Sequence, residues 1–140
     1  MNQITPYPLW LGHGGEGRDF KTIFDLGIRA IINLALEEPP AREPREMIYC
    51  RFPLVDGSGN ASEILFLAMN TLKTLINKHV PTLVCCGAGM SRAPAIAAAG
   101  LSLAHEEAPE RCLERIVAQH PSDVSPGLWK EVAGVLAAFR

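Results

Sequence analysis

The chain has 140 residues, 48% of them hydrophobic, and a formal net charge of -2 at pH 7. This length and apolar content predict a single domain, residues 1–140, with enough apolar side chains to form a core. The slightly acidic balance supplies no basic field that would recruit nucleic acid or an anionic membrane, so we expect neither as a partner.

The number and spacing of the cysteines indicate whether the protein works in an oxidising or a reducing compartment. They are Cys50, Cys85, Cys86 and Cys112. Adjacent cysteines rarely pair with each other, and no two of these have the spacing of metal ligands, so neither a disulfide framework nor a metal site is expected. Reduced thiols predict a cytoplasmic location. No signal peptide is recognisable at the start, and the longest mostly apolar run, residues 93–104, is too short to span a bilayer.

The N-terminal third contains a motif that supports an alternative function. Residues 4–11 contain prolines and predict a short edge strand. A Gly-x-Gly-x-x-Gly pattern follows at residues 12–17, and then come a helical segment, a strand and Glu37 at the spacing of a ribose-binding acid. This order is typical of a dinucleotide site. The proline-interrupted strand, the short helix and the lack of room for a substrate domain argue against it, and His13 is then a simple loop residue.

Two further strands are predicted before the middle of the chain. Residues 28–36 are apolar and rich in β-branched side chains, which predicts a strand near the centre of the sheet. The loop at residues 37–46 has three prolines and alternating charges, so we expect it to be exposed and irregular. It is either a plain connector or a wall of a substrate cleft. Residues 47–54 predict another strand, in which Cys50 is a core thiol.

A Gly-rich loop and a long helix come next. The loop contains Asp56, and Asp-Gly is a common turn pair, so an ordinary turn is one interpretation of this aspartate. Asn60-x-x-Glu63 resembles a capping box, and the helix after it extends to about residue 79. Its predicted buried stripe is Ile64, Ala68, Leu72, Leu75 and Ile76.

The C-terminal third predicts three helices. Residues 92–106 are small and apolar on several faces, which is typical of a helix buried at the centre. Residues 108–119 are amphipathic, and Ser125-Pro126 predicts the start of the last helix. The side chains expected to face inward are Leu113, Ile116, Val117, Leu128, Val132, Val135, Leu136 and Phe139. The histidines near predicted helix ends, expected to be solvated, are His79, His105 and His120.

Residues 82–94 are the most informative stretch of the sequence. An apolar run predicts a short buried strand that ends at Cys86, and a loop with two glycines leads to Arg92 and a helix. Loop N–H groups and the positive end of a helix attract anions. The same field favours the thiolate form of Cys86, and the planar guanidinium of Arg92 can hold two phosphate oxygens. A buried cysteine beside an ordinary glycine turn is the alternative, but the flanking strand and helix favour a phosphate site.

At these residues the sequence resembles the dual-specificity protein phosphatases, within the cysteine-dependent protein tyrosine phosphatases. That family has His-Cys-x-x-Gly-x-x-Arg-Ser/Thr in this loop, and the dual-specificity branch often has Cys-x-Ala-Gly-x-Ser-Arg-Ser. The matching residues here are Cys86, Ala88, Gly89, Ser91 and Arg92. Two positions depart from the pattern, since Cys85 replaces the usual histidine and Ala93 replaces the usual serine or threonine.

The resemblance implies a set of site residues. Cys86 would be the nucleophile, Arg92 would stabilise the transferred phosphoryl group, and Asp56 would be the general acid, with no cofactor and no metal. The phosphate would be bound by Gly87, Ala88, Gly89, Met90, Ser91 and Arg92. In the family, the hydroxyl after the arginine donates a hydrogen bond to the cysteine sulfur. Ala93 cannot do so, unless Ser91 or a water replaces that donor.

The resulting expectation is an α/β fold with a central, mainly parallel sheet flanked by helices and a strand, phosphate loop and helix at its core. The resemblance implies a protein phosphatase that acts on phosphotyrosine and on phosphoserine or phosphothreonine. Phosphoinositide phosphatases of this family tend to carry lysines in the loop, and this loop has none. The second hypothesis is a phosphate-binding module of the same fold with slow or no turnover, motivated by Cys85 and Ala93.

Overall fold

The chain alternates short strands with helices, in the order that the sequence predicts for most of its length. A computed structural model describes residues 1–139. The strands are β1 Asn2–Gln3, β2 Leu9–His13, β3 Ala30–Ala35, β4 Ile48–Leu54 and β5 Thr82–Cys86. The helices are α1 Phe20–Asp25, α2 Ser62–Asn77, α3 Arg92–His105, α4 Pro109–Val117 and α5 Pro126–Phe139, and a short 3₁₀ helix lies at Glu16–Arg18.

The strands of residues 1–139 form a five-stranded sheet in the order β1-β2-β5-β3-β4. All neighbouring pairs are parallel except β1 and β2, which are antiparallel. This confirms the predicted α/β fold with a mainly parallel sheet. Parallel strands end at the same edge of a sheet, so the loops that follow β2, β3, β4 and β5 converge at one edge.

The N-terminal strand differs from the prediction. An edge strand over residues 4–11 is wrong, because residues 4–8 form a turn that contains both prolines. In this turn the Tyr7 N–H donates to the Ile4 carbonyl at 2.9 Å. β2 starts only after the prolines and lies inside the sheet, between β1 and β5. The edge position belongs to β1.

Helices cover both faces of the sheet. On one face, Leu83 and Cys85 of β5 pack in a cluster with Ile23 of α1. On the other face, Val84 and Cys86 pack in the main core with side chains of α2, α3, α4 and α5. Because successive side chains of a strand point to opposite faces, the adjacent cysteines are separated by the sheet. α3 is buried along most of its length, as its small side chains predict.

The start of α2 is a second correction. The predicted capping box is wrong, since Ala61 occupies the N-cap and no side chain caps the helix. The side chain of Asn60 turns back to the preceding loop and hydrogen-bonds to Val55 and Gly57 there. The Asn60 side chain therefore hydrogen-bonds to backbone groups of the turn and not to the first N–H groups of the helix.

The buried faces of the helices agree with the predicted stripes only in part. In α2 the buried residues are Leu65, Ala68, Met69, Leu72 and Ile76, whereas Ile64 and Leu75 are only partly buried. In α4, Val117 is 50% exposed and Cys112 is buried in its place. In α5, Phe139 is 54% exposed, and the other predicted inward residues are buried. Across residues 1–139, no helix combines the length and the apolar character needed to cross a membrane.

Candidate active site

The candidate site surrounds the loop between β5 and α3, residues 87–91, which we call the phosphate loop after its predicted ligand. Cys86 is the last residue of β5 and Arg92 is the first of α3. The Cys86 Sγ is almost fully buried and accepts a hydrogen bond from the Ala93 backbone N–H at 3.4 Å. A cavity of about 160 Å³ is lined by Asp56, Cys86, Ala88, Met90, Ser91, Arg92 and Asp123. The structure therefore brings Cys86, Arg92 and Asp56 around one cavity.

The guanidinium of Arg92 is held along one edge. Its Nη1 and Nη2 each donate to a carboxylate oxygen of Glu37 at 2.6 Å, and Nη1 also donates to the Leu54 carbonyl at 2.9 Å. Nε is buried and has no acceptor among residues 1–139. Since a guanidinium has five N–H donors, these contacts leave Nε–H and the second Nη2–H, which lie on one edge of the fork.

This unused edge of Arg92 has the geometry that binds an oxyanion. Two adjacent N–H groups of arginine can donate to two oxygens of a carboxylate or a phosphate. Hydrogen bonds between ionised groups are stronger than those between neutral groups, so an anion would be a strong acceptor for these two donors. The arrangement therefore favours an anionic ligand next to Cys86.

Glu37 is the site residue that sequence reasoning missed. The sequence suggests only a ribose-binding role for it, in the disfavoured dinucleotide alternative. Hydrogen bonds from Arg92 lower the pKa of Glu37 from 4.5 to about 2, so the carboxylate is ionised at neutral pH. A β-carbon at Gly87 would lie 2.6 Å from the Glu37 carboxylate, so glycine leaves room for this ion pair. The only signal in the sequence is the position of Glu37 just after a strand, at the edge where parallel strands end.

Asp56 is tied to the phosphate loop by Ser91. The Ser91 Oγ lies 2.5 Å from Asp56 Oδ1, and it accepts a hydrogen bond from the Ser125 backbone N–H at 2.9 Å. The Ser91 hydroxyl proton therefore points to Asp56. This hydroxyl is not directed at Cys86, so in this structure Ser91 does not replace the donor that Ala93 lacks.

The segment between α4 and α5, residues 120–125, supports the phosphate loop from outside. His120 Nε2 donates to the Gly89 carbonyl at 2.6 Å, and Asn2 Nδ2 lies 2.8 Å from His120 Nδ1. The Asp123 N–H donates to the Met90 carbonyl at 2.7 Å. His120 is buried, so the expectation of a solvated histidine is wrong for this residue. Its ring is a fixed part of the loop's support.

The Gly-rich motif at residues 12–17 packs against the phosphate loop, and its last residues, Glu16 and Gly17, already belong to the 3₁₀ helix. Gly12 is part of β2, and the 3₁₀ helix follows it closely. The Gly14 N–H donates to the Gly87 carbonyl at 3.2 Å. Gly89 has a φ of +76°, and a β-carbon there would lie 2.7 Å from the Gly12 backbone. These glycines allow two backbones to approach, which argues against the dinucleotide alternative. His13 is the last residue of β2 and lies beside Glu16.

Comparison with solved structures identifies the architecture. Human DUSP28 has 18% sequence identity and a TM-score of 0.86, over 99% of this chain and 96% of that chain. A mouse putative dual specificity phosphatase, solved with zinc tungstate, has 19% identity and a TM-score of 0.85, over 98% and 86%. The chain has the dual-specificity phosphatase fold. A human tyrosine phosphatase-like serine/threonine/tyrosine-interacting protein shares it, with 17% identity and a TM-score of 0.83, over 99% and 97%.

The likeness to these phosphatases concerns the fold, because the identities are low. No protein-family model matches the sequence, and comparison with curated proteins finds no similar sequence. One fold can support several functions. The chemistry must therefore be argued from the site itself.

Cys85 takes the place of the histidine in the phosphatase-family loop pattern. Its side chain lies on the α1 face of the sheet, and a β-carbon at Gly17 would lie 2.6 Å from its Sγ. Burial raises the pKa of Cys85 to about 12, so it is a neutral thiol at pH 7. Within the cysteine pair, only Cys86 lines the cavity.

Proposed function

We propose that this protein hydrolyses phosphomonoesters on protein side chains through a phosphocysteine intermediate. The observation that carries the proposal is the free edge of Arg92, whose buried Nε–H has no acceptor among residues 1–139. Arg92 and Cys86 line one small cavity, so an oxyanion in that cavity is within reach of both residues. The phosphatase fold supports the same conclusion.

In the first step, the Cys86 thiolate attacks the phosphorus of the substrate. The S–P bond forms while the bond between phosphorus and the leaving oxygen breaks, and the proton of Asp56 passes to that oxygen. Arg92 and the N–H groups of residues 87–92 stabilise the charge on the three equatorial oxygens. Ser91 occupies Oδ1 of Asp56 and thereby leaves Oδ2 to carry the proton.

In the second step, water hydrolyses the phosphocysteine. The oxygen of the water bonds to phosphorus while the S–P bond breaks. Asp56, now a carboxylate, takes a proton from this water. The products are inorganic phosphate and the Cys86 thiolate. Since the nucleophile must be reduced, we place the protein in a reducing compartment such as the cytoplasm.

The surroundings of the cavity favour a phosphorylated protein or peptide. Apart from Arg92, the cavity lining contains no cationic side chain, and it includes the acidic residue Asp123 besides the proposed general acid Asp56. A substrate with several phosphates would find no second cation there. Met90 is 42% exposed at the rim and offers apolar contact to a phosphotyrosine ring. A single phosphate on a side chain, with phosphotyrosine preferred, fits this lining.

The experiment is phosphate release from 4-nitrophenyl phosphate by the wild type, Cys86→Ser and Cys85→Ser. We expect Cys86→Ser to abolish turnover and still bind vanadate weakly, since a serine hydroxyl is not ionised at pH 7. Cys85→Ser is the matched control and should retain turnover. If Cys86→Ser kept the turnover of the wild type and Cys85→Ser lost it, Cys86 would not be the nucleophile.

The second candidate function is a phosphate-binding module with little turnover. It is favoured by Ala93, which has no hydroxyl, and by the Ser91 hydroxyl, which is directed at Asp56. In this case vanadate or phosphate would bind to the wild type without phosphate release from 4-nitrophenyl phosphate. The same experiment therefore separates the two functions.

A further inference from the structure

The loop that carries Asp56 is closed by one side chain. Asn60 Oδ1 accepts from the Val55 N–H at 2.9 Å, and Asn60 Nδ2 donates to the carbonyls of Val55 and Gly57 at 3.2 and 3.1 Å. Asn60 thus ties the start of the loop to its end. Gly57 and Gly59 have φ values of +142° and +99°, which are backbone conformations that glycine adopts at less cost than other residues.

Glu131 of α5 holds this closed loop in place. Its Oε2 accepts from the Gly59 N–H at 2.8 Å, and its Oε1 accepts from the Asn60 N–H and from Asn60 Nδ2, both at 3.2 Å. The hydrogen bond from the Gly59 N–H is the main cause that lowers the pKa of Glu131. The carboxylate therefore binds the loop through both of its oxygens at neutral pH.

The first turns of α5 contact both loops of the candidate site. The Ser125 N–H, just before α5, donates to Ser91 of the phosphate loop. A β-carbon at Gly127 would lie 3.2 Å from the Ser58 N of the Asp56 loop, so the helix and this loop are in close contact. Glu131 lies about one turn further along the same helix. Both loops of the candidate site are therefore placed against the same helix, α5.

We propose that Glu131 is a positioning residue for Asp56: it anchors the Asp56 loop to α5, at the distance from the phosphate loop that proton transfer needs. This inference rests on the proposed function, because it assigns the origin of the general acid's placement. General acid catalysis requires hydrogen-bond reach, so a small displacement of the carboxyl removes its contribution. Glu131 itself touches no reacting atom.

The test compares Glu131→Ala, Glu131→Gln and Asp56→Ala with Glu114→Ala, a control at an exposed glutamate of α4. Turnover is measured on 4-nitrophenyl phosphate, whose leaving group departs without a proton, and on phenyl phosphate, whose leaving group needs one. We expect Asp56→Ala to lose about 10²–10⁴-fold in kcat on phenyl phosphate and much less on the nitrophenyl ester.

We expect Glu131→Ala to show the same selectivity with a smaller loss, about 10- to 100-fold on phenyl phosphate, and with KM little changed. Glu131→Gln keeps one acceptor oxygen, so its kcat on phenyl phosphate should lie between those of Glu131→Ala and the wild type. The Glu114→Ala control should match the wild type on both substrates. Amide hydrogen exchange at Gly59 and Asn60 should be faster in Glu131→Ala, and thermal unfolding checks that each variant is folded.

The outcomes separate this inference from the proposed function. Unchanged exchange at Gly59 and Asn60 in folded Glu131→Ala would show that Glu131 does not hold the loop. Faster exchange with equal losses on both substrates would reduce Glu131 to a structural residue and overturn its positioning role. A wild type without turnover would overturn the proposed function and the kinetic half of this inference, and the exchange result would still decide whether Glu131 anchors the loop.

Discussion

At the scale of single residues, the environment of the Cys86 sulfur differs most from what the resemblance implies. The backbone N–H of Ala93 donates to it at 3.4 Å, and no side-chain donor reaches it among residues 1–139. In the proposed second step this sulfur must leave phosphorus and accept negative charge. A hydroxyl donor would stabilise that charge, and none is in place in the described part of the chain.

The first prediction concerns Ala93→Ser. A hydrogen bond to a charged group is worth about 1.5–3 kcal/mol, or one to two decades in rate if it acts only in the transition state. We expect the wild type to accumulate phosphoenzyme, visible in stopped flow as a burst of 4-nitrophenol before a slower steady state. Ala93→Ser should raise kcat and diminish the burst. The absence of a burst in the parent, together with no gain in the variant, would show that the missing hydroxyl is irrelevant.

The second prediction concerns thiol reactivity. Cys86 lines the cavity and its Sγ accepts a hydrogen bond from the Ala93 N–H in the first turn of α3, whereas burial raises the pKa of Cys85 and of Cys50. After brief exposure to iodoacetamide or peroxide, mass spectrometry should find Cys86 modified first. Preferential labelling of Cys50 or Cys112 would contradict this, and bound vanadate should protect Cys86.

At the scale of elements, the site depends on connections between loops that are distant in sequence. Residues 120–125 hydrogen-bond to three successive residues of the phosphate loop: Gly89, Met90 and Ser91. Exposed loops are generally more mobile than the elements they connect, unless hydrogen bonds from neighbouring segments hold their backbone. The hydrogen bonds from this segment hold the backbone of the loop in one conformation.

The third prediction concerns His120→Ala. This substitution leaves the Gly89 carbonyl without its donor, and a buried unsatisfied group costs about 1–3 kcal/mol. We expect a lower melting temperature and weaker vanadate binding, measured by thermal unfolding and calorimetry. His79→Asn is the control, because His79 is exposed at a φ of +56°, which asparagine tolerates. Unchanged vanadate affinity in folded His120→Ala would remove this histidine from the loop's support.

At the scale of the whole molecule, the ion pair between Glu37 and Arg92 links the end of β3 to the start of α3. Arg92 is buried and its cation needs a partner, while the Glu37 side chain is 56% exposed. The pair therefore contributes to folding as well as to the orientation of the guanidinium. Removing the carboxylate leaves a buried cation with a weaker acceptor.

The fourth prediction concerns Glu37→Gln and pH. Because the pKa of Glu37 is lowered from 4.5 to about 2 by Arg92, its contribution to stability is fully present above pH 4.5 and is lost as the pH falls towards 2. Urea unfolding at pH 7 should show Glu37→Gln to be less stable by about 1 kcal/mol. The difference should shrink between pH 4.5 and pH 2. Glu46→Gln, at an exposed loop position, should show no such trend.

The opposite pH trend would contradict this account of Glu37. A gap between Glu37→Gln and the wild type that widens below pH 4.5 would mean that the protonated carboxyl, and not the carboxylate, is bound in the folded state. Kinetics of Glu37→Gln on 4-nitrophenyl phosphate give a second result. A raised KM with little change in kcat would indicate that Glu37 orients Arg92 for substrate binding in the ground state.

The sequence by itself determined the α/β class, the buried strand of residues 82–86, and the loop from Cys86 to Arg92 with its alanine-rich helix. These features are local. A strand's apolar run, a glycine loop and a helix start are set by neighbours a few residues away, so periodicity and residue type reveal them. The general-acid role of Asp56 is also a prediction from the sequence, but it depends on the resemblance, because the residues around Asp56 predict no more than a turn.

Only the tertiary structure decided which groups complete the site. Glu37 lies 55 residues from Arg92, His120 lies 31 from Gly89, and Glu131 lies 71 from Asn60. No local pattern encodes these contacts, because they arise where parallel strands end at one edge and α5 packs beside them. The misplaced edge strand and the capping box have a different cause. In both, hydrogen bonds within a short turn took the backbone groups or the side chain that the predicted element needed, between Tyr7 and Ile4 in the first and from Asn60 to Val55 and Gly57 in the second.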